Sequence, residues 1–381
     1  MMYSISSYGR MILDQPRMDA YLQAFRHSIQ PGAVVIDIGT GTGIHALMAC
    51  QLGASKVYAI EPASAIHLAK QIAAANGYSD RIEFIQGIST KLTLPEQADV
   101  IISDLHGVMP WFAQHIPSLV DARQRLLKPG GILLPQKDTL WGGVVTAPEL
   151  YQSYASPWND APYGFDLSAG LKVELNTWGR GRAHLDQFLA NPVQWAEVDY
   201  RTVEEPNLKA QVSWTVDRPG LAHGYMLWFD TLVTDGVPLT SAPYAPEIAY
   251  GSAFFPFLEP VDLQVGDRIE LDIRADLISQ DYMWTWHTQV TRSGLAQPLA
   301  EFKQSNFFSQ TLDPQKLRKR VPSYVPSLSE DGQVDCSILQ AMTQQLTVEQ
   351  IAQKVAAQFP AQFPQGQDAL DRVRDLAQIY G

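Results

Sequence analysis

Hydrophobic positions between residues 33 and about 135 predict alternating buried strands and helices. Continuous apolar runs such as AVVIDIG and ADVIISD are typical of strands that are covered on both faces. Helical patterns separate these runs, among them IHALMACQLG and SAIHLAKQIAAANG, and both end at glycine. This alternation predicts an α/β domain with a doubly wound, Rossmann-like parallel sheet over residues 33–138.

The pattern changes after Thr139, where apolar and polar residues alternate with a period of two. AHGYMLWFDTLV, RIELDIRADL and YMWTWHTQVT are examples, and we interpret LKVELNTW in the same way. This texture predicts an antiparallel β-barrel domain over residues 139–322. The aromatic residues of these segments are expected to form its core.

A third pattern covers residues 334–381 and predicts a small helical or winged-helix domain. Thr347 is placed to N-cap a helix with an apolar face, and a second apolar stripe follows it. The first face comprises Ile351, Val355 and Phe359, and the second stripe comprises Leu370, Val373, Leu376, Ala377 and Tyr380.

Composition narrows the function classes. The chain has 381 residues and a formal net charge of -12, which disfavours binding to a phosphate backbone as its main task. Cys50 and Cys336 have no metal-binding spacing and suggest no disulfide framework, so no metal site is predicted. No apolar run has the length of a signal peptide or a membrane span, so we expect a cytoplasmic protein without a membrane or nucleic-acid partner.

The stretch DIGTGTG, residues 37–43, carries the first chemical signal. Its glycines have the spacing G-x-G-x-G rather than the G-x-G-x-x-G of a dinucleotide site. Asp37 is poorly placed for a phosphate but suits the cationic part of S-adenosylmethionine. Glu61 ends the next strand, where a carboxylate can accept hydrogen bonds from both ribose hydroxyls. The residues therefore favour S-adenosylmethionine over NAD.

Residues 8 to about 310 resemble the protein arginine methyltransferase family. The segments that carry the resemblance are MILDQPRMDAY, VVIDIGTGTGI, GASKVYAIEPAS, QGIST, ADVIISDLHG and YGFDLS. The resemblance implies that residues 1–32 cover the cofactor, with Arg17 on its carboxylate and Met11 near its sulfonium. The implied cofactor-binding residues are Tyr8, Met11, Arg17, Asp37, Gly39, Gly41, Gly43, Glu61, Pro62, Gly87, Ile88, Ser89 and Asp104. It also implies a homodimer formed through an arm at about residues 166–195.

The sequence departs from the family pattern at the positions that hold the arginine acceptor in that family. Two glutamates nine residues apart grip the guanidinium in the family, and here they correspond to Asp104 and Ala113, the latter beside Gln114. The later histidine–tryptophan pair corresponds to Ala249 and Tyr250. A bidentate clamp for a cation needs both carboxylates, so we predict an acceptor other than standard arginine.

Two histidines of the same loop are candidates to act on the acceptor in place of the absent glutamate. Asp104 and His106 are the predicted catalytic residues, with His106 acting as a general base or orienting the acceptor. His115 is a second candidate, although packing is the favoured interpretation for it and for His287. Trp111 and Phe112 are expected to wall the pocket or to pack beneath the loop.

Residues 334–381 resemble the small PqqD-related winged-helix modules that bind leader peptides. The resemblance implies that this domain recruits a peptide or protein substrate. We therefore predict methyl transfer to a peptide or protein side chain. Two alternatives stay open: N- or O-methylation of a small metabolite, and a pseudoenzyme that binds the cofactor without turnover.

Overall fold

The computed structural model describes residues 4–160, 162–311 and 313–381. The first three residues of the predicted N-terminal covering segment lie outside these ranges. The chain divides after Thr311 into two compact units, each described below by itself. The sequence predicts that the β domain extends to residue 322, but the chain leaves the last sheet at Ser305 and residues 313–322 fall in the second unit.

Two helices open the first unit, α1 (Ile5–Ile12) and α2 (Gln15–Ser28). Ser4 caps α1 by accepting from the amide of Ser7, and Asp14 caps α2 by accepting from the amide of Arg17. Half of the residues of helix α2 are buried, and Arg17 is among them.

A five-stranded parallel sheet follows, in the order β3-β2-β1-β4-β5. Its strands are β1 (Val34–Ile38), β2 (Lys56–Glu61), β3 (Ile82–Gln86), β4 (Ala98–Ser103) and β5 (Leu127–Leu134). Helices α3 (Ile44–Gln51), α4 (Ala65–Ala75) and α5 (His115–Asp121) connect them. The order reverses between β1 and β4, and ligands bind beyond the carboxyl ends of strands at such a point. The predicted Rossmann-like sheet is confirmed.

The rest of the first unit is antiparallel and is built from two sheets. The larger has the order β7-β12-β10-β6-β8 with β11 on β10, and the smaller has the order β15-β14-β13-β9. The strands are β6 (Lys137–Val145), β7 (Gly179–Gly181), β8 (Val193–Asp199), β9 (Leu208–Thr215), β10 (Gly220–Thr234), β11 (Val237–Thr240), β12 (Ser252–Leu263), β13 (Arg268–Ile278), β14 (Asp281–Thr291) and β15 (Ala300–Ser305). Aromatic side chains fill the core between them, as predicted.

One predicted strand is wrong. LKVELNTW was expected to be extended, but its first half lies in helix α7 (Ser168–Glu174), which packs against helix α6 (Pro148–Asn159). Leu171 and Leu175 are four residues apart and reach the same cluster, a spacing that suits a helix as well as a strand. Whether so short a segment forms a helix or a strand depends on the surface that it contacts.

In the described residues of the second unit, 313–381, all regular secondary structure is helical. It contains α8 (Pro314–Arg318), α9 (Glu330–Met342), α10 (Val348–Gln358) and α11 (Gly366–Tyr380). Thr347 N-caps α10 in a reciprocal capping box with Gln350, so the predicted cap is confirmed. Ile351, Val355 and Val373 lie in a core of this unit's own, whereas Tyr380 is exposed.

Candidate active site

The glycine-rich turn lies at the carboxyl end of β1 and is covered by α1. Gly39, Gly41 and Gly43 all have positive φ angles, of 77°, 55° and 87°. A Cβ atom on Gly41 would lie 2.6 Å from the ring of Tyr8, and one on Gly39 would lie 2.3 Å from Leu105. Only glycine therefore allows the N-terminal helix and the loop after β4 to close on this turn.

Two carboxylates frame the turn. Glu61 accepts from the amides of Gly41 (3.0 Å) and Ala63 (2.8 Å), one on each oxygen. Each oxygen keeps a second lone pair, which is what a ribose diol requires. Asp37 is buried and accepts from the Thr40 hydroxyl at 2.5 Å. Burial raises the pKa of Asp37 to about 7, although the Thr40 hydrogen bond opposes this.

The remaining predicted cofactor residues lie around the same sheet edge. The amide of Gly87 donates to the Glu61 carbonyl at 3.2 Å, Ile88 is 46% exposed, and Ser89 is buried. The Met11 carbonyl accepts from Arg17 at 2.6 Å. The Pro62 carbonyl accepts from Gln86 at 3.4 Å.

Together these groups fit S-adenosylmethionine. The guanidinium of Arg17 suits a carboxylate, Asp37 suits an ammonium group, and Glu61 suits the ribose hydroxyls. The glycine cradle beneath Tyr8 leaves no room for larger side chains.

Asp104 follows β4 and both of its oxygens already have protein donors. Oδ2 pairs with Nη1 of Arg17, and Oδ1 accepts from the Tyr250 hydroxyl. Nδ1 of His106 faces Oδ1 at 3.7 Å. Burial opposes ionisation, but Arg17 and then His106 hold the pKa of Asp104 well below its usual range. Asp104 is therefore a permanent anion and a weak base.

His106 lies between two carboxylates. Its Nε2 bonds Oδ2 of Asp138 at 2.8 Å, while its Nδ1 faces Asp104. Its ring stacks on Phe229, with centroids 5.2 Å apart. Burial lowers its pKa, but Asp138 and then Asp104 outweigh this and raise the pKa to about 9. His106 therefore keeps its proton at neutral pH, which favours the orienting role over that of a general base.

The position of the second family glutamate carries no charge. Ala113 lies in a left-handed turn with φ of 43°, and Gln114 donates its amide to the carbonyl of Ser279 at 2.9 Å. Trp111 is buried, and the Phe112 ring packs on Gly107, where an added Cβ would approach it to 2.6 Å. These two aromatic side chains therefore pack against the loop itself.

Sequence reasoning missed three polar groups behind this loop. Asp138 and Tyr200 are completely buried next to His106, and Tyr250 had been noted only as a replacement. The one signal for Asp138 was a carboxylate within the apolar pattern GILLPQKDTLWGGVV. His287 pairs with Glu301 on the surface of β14 and β15 and takes no part in the site.

Comparison with known proteins agrees with this geometry. Residues 18–140 match the family described as Ribosomal protein L11 methyltransferase (PrmA). Residues 139–290 match the Arginine methyltransferase oligomerization subdomain. The chain is a class I methyltransferase that is similar to the protein arginine methyltransferases. It is S-adenosylmethionine-dependent, as the glycine turn predicted.

Two named proteins share about 30% sequence identity with this methyltransferase. It is 31% identical over 235 residues to "Probable protein arginine N-methyltransferase 6" of Arabidopsis thaliana, covering 59% of this chain and 54% of that protein. It is 29% identical to protein arginine N-methyltransferase 6 of Xenopus laevis, covering 71% of this chain and 83% of that protein. The chain thus spans about half the length of the first relative and most of the second.

Solved structures share the fold. One chain of the Trypanosoma brucei PRMT1 enzyme–prozyme heterotetrameric complex with AdoHcy has a TM-score of 0.71 at 22% identity, covering 78% of this chain and 97% of that one. Arabidopsis thaliana protein arginine methyltransferase 10 has a TM-score of 0.69 at 24% identity, covering 79% and 97%.

Other classes of site find no support in the described part of this methyltransferase. None of its described helices combines the length and apolar character that crossing a membrane requires. No cluster of three or more histidine, cysteine, aspartate or glutamate side chains among those residues could hold a metal ion.

Proposed function

We propose that this methyltransferase transfers a methyl group to an uncharged nucleophile of a peptide or protein side chain, and not to arginine in the manner of its relatives. The observation that carries the proposal is the state of Asp104, whose two oxygens are engaged by Arg17 and Tyr250. When bound, S-adenosylmethionine supplies an electrophilic methyl group on a sulfonium; the protein has to align the acceptor and exclude water.

The charges around Asp104 disfavour a cationic acceptor. Arg17 is a cation in direct contact with this carboxylate, and the imidazolium of His106 faces it at 3.7 Å. A guanidinium would be a third cationic group beside Asp104. Ala113 supplies no second carboxylate to receive it.

The energetic consequence is large. Leaving a desolvated guanidinium half paired costs about 3 kcal/mol or more. Since about 1.4 kcal/mol is a factor of ten in rate, transfer to arginine would slow by roughly a hundredfold or more. An uncharged acceptor avoids this cost.

Two observations support a peptide or protein substrate. Relatives with matching sequence are named protein arginine N-methyltransferases. The second unit, which we propose recruits the substrate, contains an apolar groove of about 460 Å³. Its lining includes Leu339, Met342, Leu346, Val348, Ile351 and Tyr380.

We also propose a homodimer formed through the arm. The matched oligomerization subdomain supports oligomerization. Tyr163 and Phe165, immediately before this arm, are 97% and 67% exposed, which is typical of residues that a partner covers.

The test is a methyl-transfer assay on a matched peptide panel with labelled cofactor. One peptide is rich in arginine and glycine, and the others replace each arginine by histidine, asparagine, cysteine or methionine. We expect labelled product on at least one uncharged acceptor and roughly a hundredfold less on arginine. Robust methylarginine that Asp104→Ala abolishes would overturn the proposal, and label found only in a metabolite pool would overturn its peptide part.

A further inference from the structure

A buried polar network lies behind the acceptor loop, on the side of His106 away from Asp104. Its centre is Asp138 near the start of β6, whose side chain is completely buried. Oδ2 of Asp138 accepts from His106 (2.8 Å) and from the Tyr200 hydroxyl (2.5 Å), and Oδ1 accepts from the Thr231 hydroxyl (2.7 Å). Three donors from three segments thus fix one carboxylate.

Such a carboxylate would be costly to bury without a positive partner. Tyr200 and Thr231 are neutral, so the imidazole ring is the group that neutralises it. The groups that face the ring of His106 are Asp104, Asp138, Tyr200, Tyr250 and His115, together with the apolar Phe229.

Among these neighbours only the two carboxylates carry charge. Burial, with His106 nearby, lowers the pKa of His115 well below its usual value, so His115 is neutral. Burial raises the pKa of Tyr200 and of Tyr250 well above the usual value, so both keep their hydroxyl protons. The surroundings therefore favour a proton on each ring nitrogen of His106.

We propose that Asp138 is a positioning residue that holds His106 as an imidazolium against Asp104, so that the acceptor site contains no free base. The acceptor must then bring an atom that is nucleophilic without first losing a proton, such as a neutral imidazole nitrogen or a thioether sulfur. Hydroxyls, protonated amines and guanidinium groups need a base and are excluded. This inference rests on the proposed function and narrows its substrate class.

The transfer balances without a base. The acceptor lone pair forms the new bond to the methyl carbon, and the electron pair of the breaking C–S bond returns to sulfur. The positive charge passes to the acceptor. An imidazole acceptor releases its N–H proton to solvent after transfer, and a thioether keeps the charge.

The first experiment observes His106 directly in the full-length protein. Side-chain nitrogen NMR of ¹⁵N-histidine-labelled protein at pH 7.5, assigned with His106→Gln, should show both ring nitrogens protonated. A neutral tautomer at this pH would overturn the inference. This measurement uses no acceptor, so its failure is distinct from failure of the peptide assay.

The second experiment removes the charge that positions His106. Asp138→Asn should make His106 neutral at pH 7.5 and lower kcat by about tenfold or more, while the cofactor Kd changes by less than about twofold. Asp138→Glu should restore the imidazolium signal and part of kcat. The matched control is Asp267→Asn. Asp267 lies between β12 and β13, is also a buried carboxylate, and pairs with Arg292.

The outcomes decide the inference even if a variant is unstable. If Asp138→Asn leaves the imidazolium signal and kcat unchanged, Asp138 does not position His106. If Asp267→Asn reproduces the loss of kcat, the effect is general destabilisation and the inference fails. If Asp138→Asn does not fold, the NMR state of the unmodified protein decides alone.

Discussion

The state of His106 predicts an unusual loss of stability on the alkaline side of neutrality. Its pKa is raised from 6.5 to about 9 in the folded protein, so folding favours the protonated ring. The stabilisation is fully present below pH 6.5 and is lost as the pH rises through about 9. Linkage with these two values gives a loss of about 2 kcal/mol between pH 7 and pH 9.

Asp37 and His45 also have shifted pKa values, but they change the stability mainly below pH 7. Burial raises the pKa of Asp37 to about 7, so the stability that its protonated form contributes is lost as the pH rises from about 4 to 7. Burial lowers the pKa of His45 to about 4, so its effect is confined to acid, where stability falls as the pH falls below 6.5. His106 therefore dominates the change between pH 7 and pH 9.

The assay is urea denaturation of the full chain at half-unit steps from pH 6.5 to pH 9.5, with a second series on His106→Gln. The glutamine keeps a donor for Asp138 but cannot titrate, so the free energy of unfolding of His106→Gln should change much less between pH 7 and pH 9 than that of the unmodified protein, and should be lower at pH 7. Exposed His67 on α4 provides the matched control His67→Gln, which should keep the slope. Equal slopes for His106→Gln and the unmodified protein would refute the assignment of the charge.

Three further predictions concern the rest of the molecule. Glu61→Ala should weaken S-adenosylhomocysteine binding by about 1–3 kcal/mol in calorimetry through lost hydrogen bonds, whereas exposed Glu83→Ala should leave it unchanged; equal affinities would remove Glu61 from the site. Replacing both Tyr163 and Phe165 by aspartate should convert a dimer to a monomer in sedimentation, and an unmodified protein that is already monomeric would contradict the proposed arm. Deleting residues 312–381 should preserve cofactor affinity, because the first unit has its own core, and should lower kcat/KM for peptides; unchanged peptide kinetics would rule out recruitment by the second unit.

The parallel sheet and its left-handed glycine turn could be predicted because their signals are local. A buried parallel strand appears as a continuous apolar run, and a turn that needs left-handed backbone appears as glycine. Gly41 and Glu61 were thus candidate cofactor residues before any contact was known. The Thr347 cap belongs to the same class, since a capping box joins residues three apart.

The short helix α7 shows where local signals end. Its pattern of apolar residues fits a strand and a helix equally well, and packing against α6 selects the helix. Nothing within the eight letters LKVELNTW contains that information.

The sequence by itself therefore determined the fold class, the cofactor edge and the absence of a second carboxylate at Ala113. Only the tertiary structure decided the charge state of the acceptor site. Asp138 and Tyr250 come from distant parts of the chain to meet the loop that carries Asp104 and His106, and a pKa depends on burial and on neighbours within a few ångströms. The sequence proposed His106 as a general base or an orienting group, and folding places this histidine between two carboxylates that favour its protonated form.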